Sequence, residues 1–348
     1  MTLLPNSSDT DLRDSHGGPD AHGVPLHDFS TNSNACGPCP AVLEAVQQAD
    51  ATRYPDPRYG ELRARLAGFH GVAAERIVFA ASASEFIFRL TVAAARRGAR
   101  SVCLPAHGYG DYARAARAWG LQPAPQAEAR LVWCCDPSSP LGQAQSGLPA
   151  SIDALAADAV CVLDLAYEPL RLDGALGLWP GSAQRDRVWQ LWTPNKALGL
   201  TGVRAAYAIA PVDARDWIET VDAMAPSWPV GAHGVALLDG WTSAATQQWL
   251  ATSLVTLREW KARQIARCEQ EFGWHCLPGV ANFFCARPPM DDVAGLCAGL
   301  RAQGIKLRDT ASFGLPGHVR LAVLPPASVQ ALADGLRRIR SAPTTISA

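Results

Sequence analysis

Short apolar runs rich in β-branched and aromatic residues recur along the first two thirds of the chain: RIVFA at 76–80, SVCLP at 101–105, RLVWCC at 130–135, VCVLDL at 160–165, VWQLW at 188–192 and VRAAYAIA at 203–210. Runs of this length predict buried strands. Ala/Arg-rich stretches with helical spacing lie between several of them, notably 84–97 and 110–119. Strands alternating with helices predict an α/β fold with a mostly parallel sheet flanked by crossover helices. Sheets of that kind place ligands at the carboxyl ends of their strands. After about residue 230 the pattern changes to a long, Pro-free, largely helical span up to about 270. Two strand candidates follow, ANFFCA at 281–286 and VRLAVL at 319–324, then a helix from about 326 to 340. This predicts a second, smaller α+β domain. Its boundary is expected near APSWPVG at 225–231, where Pro226 and Pro229 interrupt regular structure.

Composition narrows the class of partner. With 348 residues the chain is long enough to bury a core without disulfide or metal staples. The 31 basic and 32 acidic residues leave a formal charge of −1, which offers no attraction to nucleic acid or an anionic membrane. Small polar or zwitterionic molecules are the expected partners. The first thirty residues hold no apolar stretch of signal-peptide type, and no later run approaches a membrane span, so a cytoplasmic location is expected. In that setting the ten cysteines are expected to be reduced thiols, most of them small core residues. One pair, in NACGPC at 34–39, has the spelling of a thiol-disulfide exchange motif. A redox motif of that kind follows a strand and opens a helix, whereas HDFSTNSN upstream is too polar for a central strand. The segment is read as a turn leading into a helix that begins near Ala41.

Chemistry concentrates in TPNKALGLTGVR at 193–204. Lys196 lies just past a predicted strand, and Gly199 and Gly202 keep side chains away from whatever approaches. Arg204 follows eight residues later. A lysine with a nearby arginine and close-approach glycines suits a Schiff base with a phosphate-bearing aldehyde cofactor: the amine bonds carbon and the guanidinium grips phosphate. Taken alone, the segment is equally a surface lysine beside a glycine-rich turn. A second segment adds to it. VLDLAY at 162–167 ends a hydrophobic strand in Asp164, and a carboxylate there is costly unless it meets a cation. A protonated pyridine nitrogen is such a cation, and the Tyr167 hydroxyl is placed to reach the ring's phenolic oxygen.

Lys196 to Arg204, preceded by Asp164 to Tyr167, resembles the fold-type-I pyridoxal-phosphate enzymes, most of all the histidinol-phosphate aminotransferase and threonine-phosphate decarboxylase branch. The similarity runs through HGG at 16–18, DFSTNSNACGPCP at 28–40, RYPDPRYGELRARLA at 53–67, DPSSPLG at 136–142, ANFF at 281–284 and FGLPGHVRLAV at 313–323. HGG tilts it toward the decarboxylase side. The resemblance implies an arm over residues 1–40 packing on the small domain, a cofactor-binding domain over 41–230 and a small C-terminal domain over 231–348. It implies pyridoxal 5'-phosphate as cofactor, no metal, and a homodimer with shared active sites. Lys196 would form the Schiff base and shuttle the proton at the substrate α-carbon. Asp164 would pair with the ring nitrogen and Tyr167 with the ring oxygen. Arg204, Thr193 and the backbone amides of Ala83 and Ser84 would hold the phosphate, the last two at a helix N-terminus. Tyr109 would stack on the ring, with His107 as a rival. Tyr54 would reach the cofactor of the neighbouring subunit. Arg320 matches the arginine that clamps the substrate carboxylate, and Arg308 a second anion anchor. In this family the segment around NACGPC is a turn, and its cysteines occupy variable places.

The chain departs from the family pattern at three places. Ser139 in Asp136-Pro-Ser-Ser stands where an asparagine usually contacts the ring oxygen. Thr193 and Asn195 stand where serines usually precede the lysine, and Ser82 replaces a glycine of the phosphate turn. The expected activity is aminotransfer on a small amino acid or amino-acid-like amine. The alternatives are decarboxylation of a phosphorylated amino acid in corrinoid side-chain synthesis and a non-catalytic binding or regulatory relative.

Overall fold

The computed structural model describes residues 17–341, so residues 1–16 of the expected N-terminal arm, His16 among them, and residues 342–348 of the expected C-terminal domain lie outside the described residues. Its largest sheet has seven strands, in the spatial order 77–80, 206–209, 189–192, 160–164, 131–135, 101–103 and 122–123. Each predicted strand of the first two thirds is present, shortened by a residue or more at its ends. Strand 206–209 runs antiparallel to both of its neighbours, and every other adjacent pair is parallel. Strands 77–80, 131–135, 160–164, 189–192 and 206–209 are buried at every residue, as strands covered on both faces must be. One face packs on Phe86, Ile87, Leu90 and Tyr112, from the helices Ala83–Arg96 and Gly110–Ala118. The other packs on Leu62, Leu66, Leu237 and Trp241, from Gly60–His70 and Ala232–Trp241.

The single antiparallel insertion matters for the site. Reversal on both sides of 206–209 leaves 77–80 running in the same direction as 189–192, so the carboxyl ends of the six other strands share one edge of the sheet. That edge carries the turns that hold Ala83, Tyr109, Ser139, Asp164 and Lys196.

Beyond residue 230 the helical span is two helices, Ala232–Trp241 and Ala244–Gln270. The break falls at Ser243, whose hydroxyl accepts from the Thr246 amide and so starts the second helix without any proline. A four-stranded antiparallel sheet follows, in the order 308–309, 319–322, 283–287 and 275–276. The helices Val293–Arg301 and Pro326–Ser341 pack against it through Leu296, Leu300, Leu332 and Leu336. His27–Asp28 pairs in parallel with Ile305–Lys306. The two-residue strands at 122–123, 305–306 and 308–309 have no periodicity a sequence could display, and none was expected.

NACGPC is a strap over the Lys196 turn. The Asn34 amide donates to the Lys196 carbonyl at 2.9 Å, the Asn34 side chain to the Ala197 carbonyl at 3.0 Å, and the Cys39 amide to the Leu198 carbonyl at 2.9 Å. Gly199, at φ +70°, lies so close beneath the strap that a Cβ there would sit 2.6 Å from the Gly37 carbonyl oxygen. The two thiols face different partners, Cys36 the Ser253 carbonyl and Cys39 the Thr246 hydroxyl. Burial pushes the Cys36 thiol up, opposite to what exchange chemistry needs.

Candidate active site

At the carboxyl edge of the large sheet a cavity of about 310 Å³ opens between the two sheets. Its walls include Lys196, Asp164, Tyr167, Thr193, Arg204, Ala83, Ser84, Tyr109, Ser139, Arg308 and Arg320. Every residue expected at the site is therefore brought to one cavity, except Tyr54.

Asp164 is the last residue of its strand and 4% exposed. Its Oδ1 accepts from the Ala166 amide at 2.9 Å and its Oδ2 from the Tyr112 hydroxyl at 2.5 Å. Burial raises its pKa, while the bonds from Tyr112 and Ala166 and the charge of Lys196 pull it down. A second cation against this carboxylate would relieve the remaining desolvation cost. Lys196 faces the same space, its Nζ 4.9 Å from the centre of the Tyr167 ring. Tyr167 in turn meets Phe283 edge-on, with ring centres 4.7 Å apart.

Ser82, next to the wall residues Ala83 and Ser84, caps the 14-residue helix Ala83–Arg96 by accepting from the Glu85 amide at 3.1 Å. That cap leaves the first amides of the helix, at Ala83 and Ser84, without an intrahelical acceptor and facing the cavity, a favourable end for an anion. The Ser84 hydroxyl lies 3.1 Å from the Tyr109 hydroxyl. Thr193 donates to Asn195 Oδ1 at 2.7 Å, and Asn195 donates to the Val203 carbonyl at 3.3 Å, which ties the strand end to the far side of the turn. Arg204 is exposed at the rim and donates to the Thr201 carbonyl at 3.2 Å. His107 bonds the Phe313 carbonyl at 2.9 Å and is not on the cavity wall, so of the two it is Tyr109 that lines the cavity.

The third wall is cationic. Arg308 and Arg320 are directly opposed on adjacent antiparallel strands, which puts both side chains on one face. They are 9% and 7% exposed and flank Phe313, at 4.7 Å and 5.8 Å from its ring centre. Burial and the neighbouring Arg320 push the Arg308 pKa down to about 10. Arg320 donates to the Ser30 carbonyl at 2.8 Å, and its Nε is buried without a partner. Two like charges with an unmet donor are destabilising until an anion arrives.

Tyr54 lies elsewhere, 78% exposed and stacked on Trp228 at 4.3 Å. Sequence reasoning missed Tyr112, stacked on Trp133 at 4.8 Å, although its place three residues after Tyr109 at a helix start is a signal for a shared face. It also missed the buried ion cluster in which Arg171 bonds both Asp136 and Glu168 at 2.7 Å, beneath the turn that carries Ser139. Pairing with an arginine 35 residues away leaves no local pattern.

A family model described as aminotransferase class I and II matches residues 24–336. The chain is 30% identical over 327 residues to a histidinol-phosphate aminotransferase of Jannaschia sp. (strain CCS1), a match covering 88% of each chain. Among solved structures, it resembles histidinol-phosphate aminotransferase from Sinorhizobium meliloti in complex with pyridoxal-5'-phosphate, with a TM-score of 0.76 and 21% identity over 96% of this chain and 98% of that one. It equally resembles L-threonine-O-3-phosphate decarboxylase from Porphyromonas gingivalis, with a TM-score of 0.77 and 20% identity over 90% of this chain and 99% of that one. At these identities the two structures establish the fold alone. Among the described residues, no helix is long and apolar enough to cross a membrane.

Proposed function

The chain belongs to the class I and II aminotransferase family, and from that premise we propose that it is a cytoplasmic pyridoxal-phosphate-dependent aminotransferase that acts on a small amino acid or amino-acid-like amine carrying an anionic group. The observation that carries this reading is the meeting of Lys196, the buried Asp164 and the opposed Arg308 and Arg320 on one cavity. The donor set fits the cofactor at each end. Asp164 offers a desolvated carboxylate to a ring nitrogen, Tyr109 an aromatic face, and the helix start at Ala83 and Ser84 a seat for phosphate, with Arg204 and Thr193 on the walls of the same cavity.

Bound there, pyridoxal phosphate supplies an aldehyde carbon for the lysine and an electron-withdrawing ring that weakens the bonds to the substrate's α-carbon. The protein's side chains do the rest. Lys196 would bind the cofactor, and its amine would be the group that takes up and returns the proton at the substrate α-carbon. Asp164 would hold a proton at the ring nitrogen. Tyr167 would donate its hydroxyl to the ring oxygen. Arg320 grips the substrate's carboxylate or phosphate with the Nε that has no other partner, and Arg308 takes a second anionic oxygen. Phe313, on the cavity wall, would help keep water from the reacting atoms. The exposed Tyr54 belongs, in this reading, to the site of a second copy of the chain in a homodimer.

A panel of amino acids and phosphorylated amines, added singly to the cofactor-loaded protein without an acceptor, tests the assignment. Aminotransfer predicts that one of them yields a carbonyl product in a ratio of one per site and no carbon dioxide. Continuous release of carbon dioxide would identify a decarboxylase, and silence across the panel would refute the enzymatic reading.

A further inference from the structure

Asn32 lies just before the strap over the Lys196 turn, is 2% exposed and forms part of the cavity wall. Its Nδ2 donates to the Tyr167 hydroxyl oxygen at 3.3 Å, and its Oδ1 is buried without a partner. The backbone around it is held independently of that side chain. Asn282 donates to the Asn32 carbonyl at 3.4 Å and to the Ser33 carbonyl at 3.0 Å, and the Asn34 amide bonds the Lys196 carbonyl. Tyr167 therefore has its ring fixed against Phe283 and its oxygen engaged as an acceptor, with the phenolic proton left to donate elsewhere. A hydroxyl that accepts a hydrogen bond becomes a stronger donor, because each bond in a chain polarises the next. Ser139, the buried polar side chain that the 136–142 turn contributes to this cavity, has only a short hydroxyl to offer.

We propose that Asn32 is a positioning residue that aims and strengthens the Tyr167 hydroxyl toward the phenolic oxygen of the cofactor, supplying from the N-terminal segment the amide that the Ser139 turn lacks. The inference rests on the cofactor assignment above. Its unmet Oδ1 leaves one acceptor for a donor that comes with the bound ligand, such as an amine or a water.

The consequence is spectroscopic. A bond donated to the ring oxygen would stabilise its anionic form, and so would ease loss of a proton held beside it. Weakening Tyr167 as a donor must raise the pH midpoint of the visible absorbance change of the loaded protein. For Asn32→Ala the expected rise is about half a unit to one unit, the size of one ordinary hydrogen bond. Asn32→Asp keeps the volume and backbone but lets a carboxylate accept the Tyr167 proton, so its midpoint should rise at least as far. In the Asn32→Ala background, Ser139→Asn should bring the midpoint back toward the starting value. Pyridoxal phosphate binding to the cofactor-free proteins, followed by fluorescence, should weaken about five- to tenfold in Asn32→Ala, as loss of one bond at ~1 kcal/mol implies.

Midpoints in both Asn32 variants that match the unmodified protein, while Tyr167→Phe shifts its own by a unit or more, would overturn the inference and leave the cofactor assignment standing. Absence of any lysine-dependent visible band in the unmodified protein would overturn both.

Discussion

Lys196→Ala is expected to lower the turnover of the best amino donor by more than about 10³-fold, because one substitution removes both the bond to the cofactor and the group that moves the α-carbon proton. Single-turnover carbonyl formation under saturating cofactor measures it. The loss should fall on kcat rather than KM, since Arg308 and Arg320 hold the substrate from a different sheet. An excess of a small primary amine should restore part of the rate, as it can enter the space left by the side chain. Turnover within tenfold of the unmodified enzyme would refute a covalent role for this lysine.

Asp164→Asn should carry the second large effect, with a sign that separates stability from function. Burial raises the Asp164 pKa in the folded, cofactor-free protein. A group whose folded pKa exceeds its unfolded value favours folding below the unfolded pKa and loses that contribution as pH rises through the folded one. At neutral pH the empty site thus pays for a desolvated charge. The asparagine keeps an acceptor for the Ala166 amide and can turn its NH2 group to the Tyr112 oxygen, so the cofactor-free variant should melt at the same temperature or higher near pH 7. With the cofactor the order reverses. The missing charge-assisted bond to the ring nitrogen, worth about 3–4 kcal/mol in a buried setting, should cost ~10²–10³-fold in cofactor affinity and a comparable factor in turnover. Thermal melts with and without pyridoxal phosphate, across pH 5–8, check both halves. Equal stabilisation of the two proteins by the cofactor would contradict the pairing.

Much of this site was legible because its chemistry is carried by short local patterns. Asp164 and Tyr167 close one apolar run, and Lys196 to Arg204 follow another, so the strand ends and the reactive groups were read together. The large sheet was legible for the same reason: strands buried on both faces are written as nearly continuous apolar runs. What escaped was long-range or very short. The reversal of 206–209 has no marker in its letters, yet it leaves the six other carboxyl ends on one edge. Arg171 with Asp136, and Asn32 with Tyr167, are pairs separated by 35 and 135 residues, and nothing in either member's neighbourhood announces the other. Tyr112 was hidden differently. As a tyrosine near a helix start it looks like core, and only the Asp164 carboxylate against its hydroxyl gives it a part in the chemistry.

The account depends on one bond, between the cofactor's aldehyde carbon and the nitrogen of Lys196. Borohydride reduction of the pyridoxal-phosphate-loaded protein, followed by proteolysis and mass spectrometry, makes that bond permanent and locates it. The account predicts one added cofactor per chain, on the peptide spanning 193–204 and on Lys196 within it. Reduction that leaves this peptide unmodified, or that marks another lysine in its place, would contradict it.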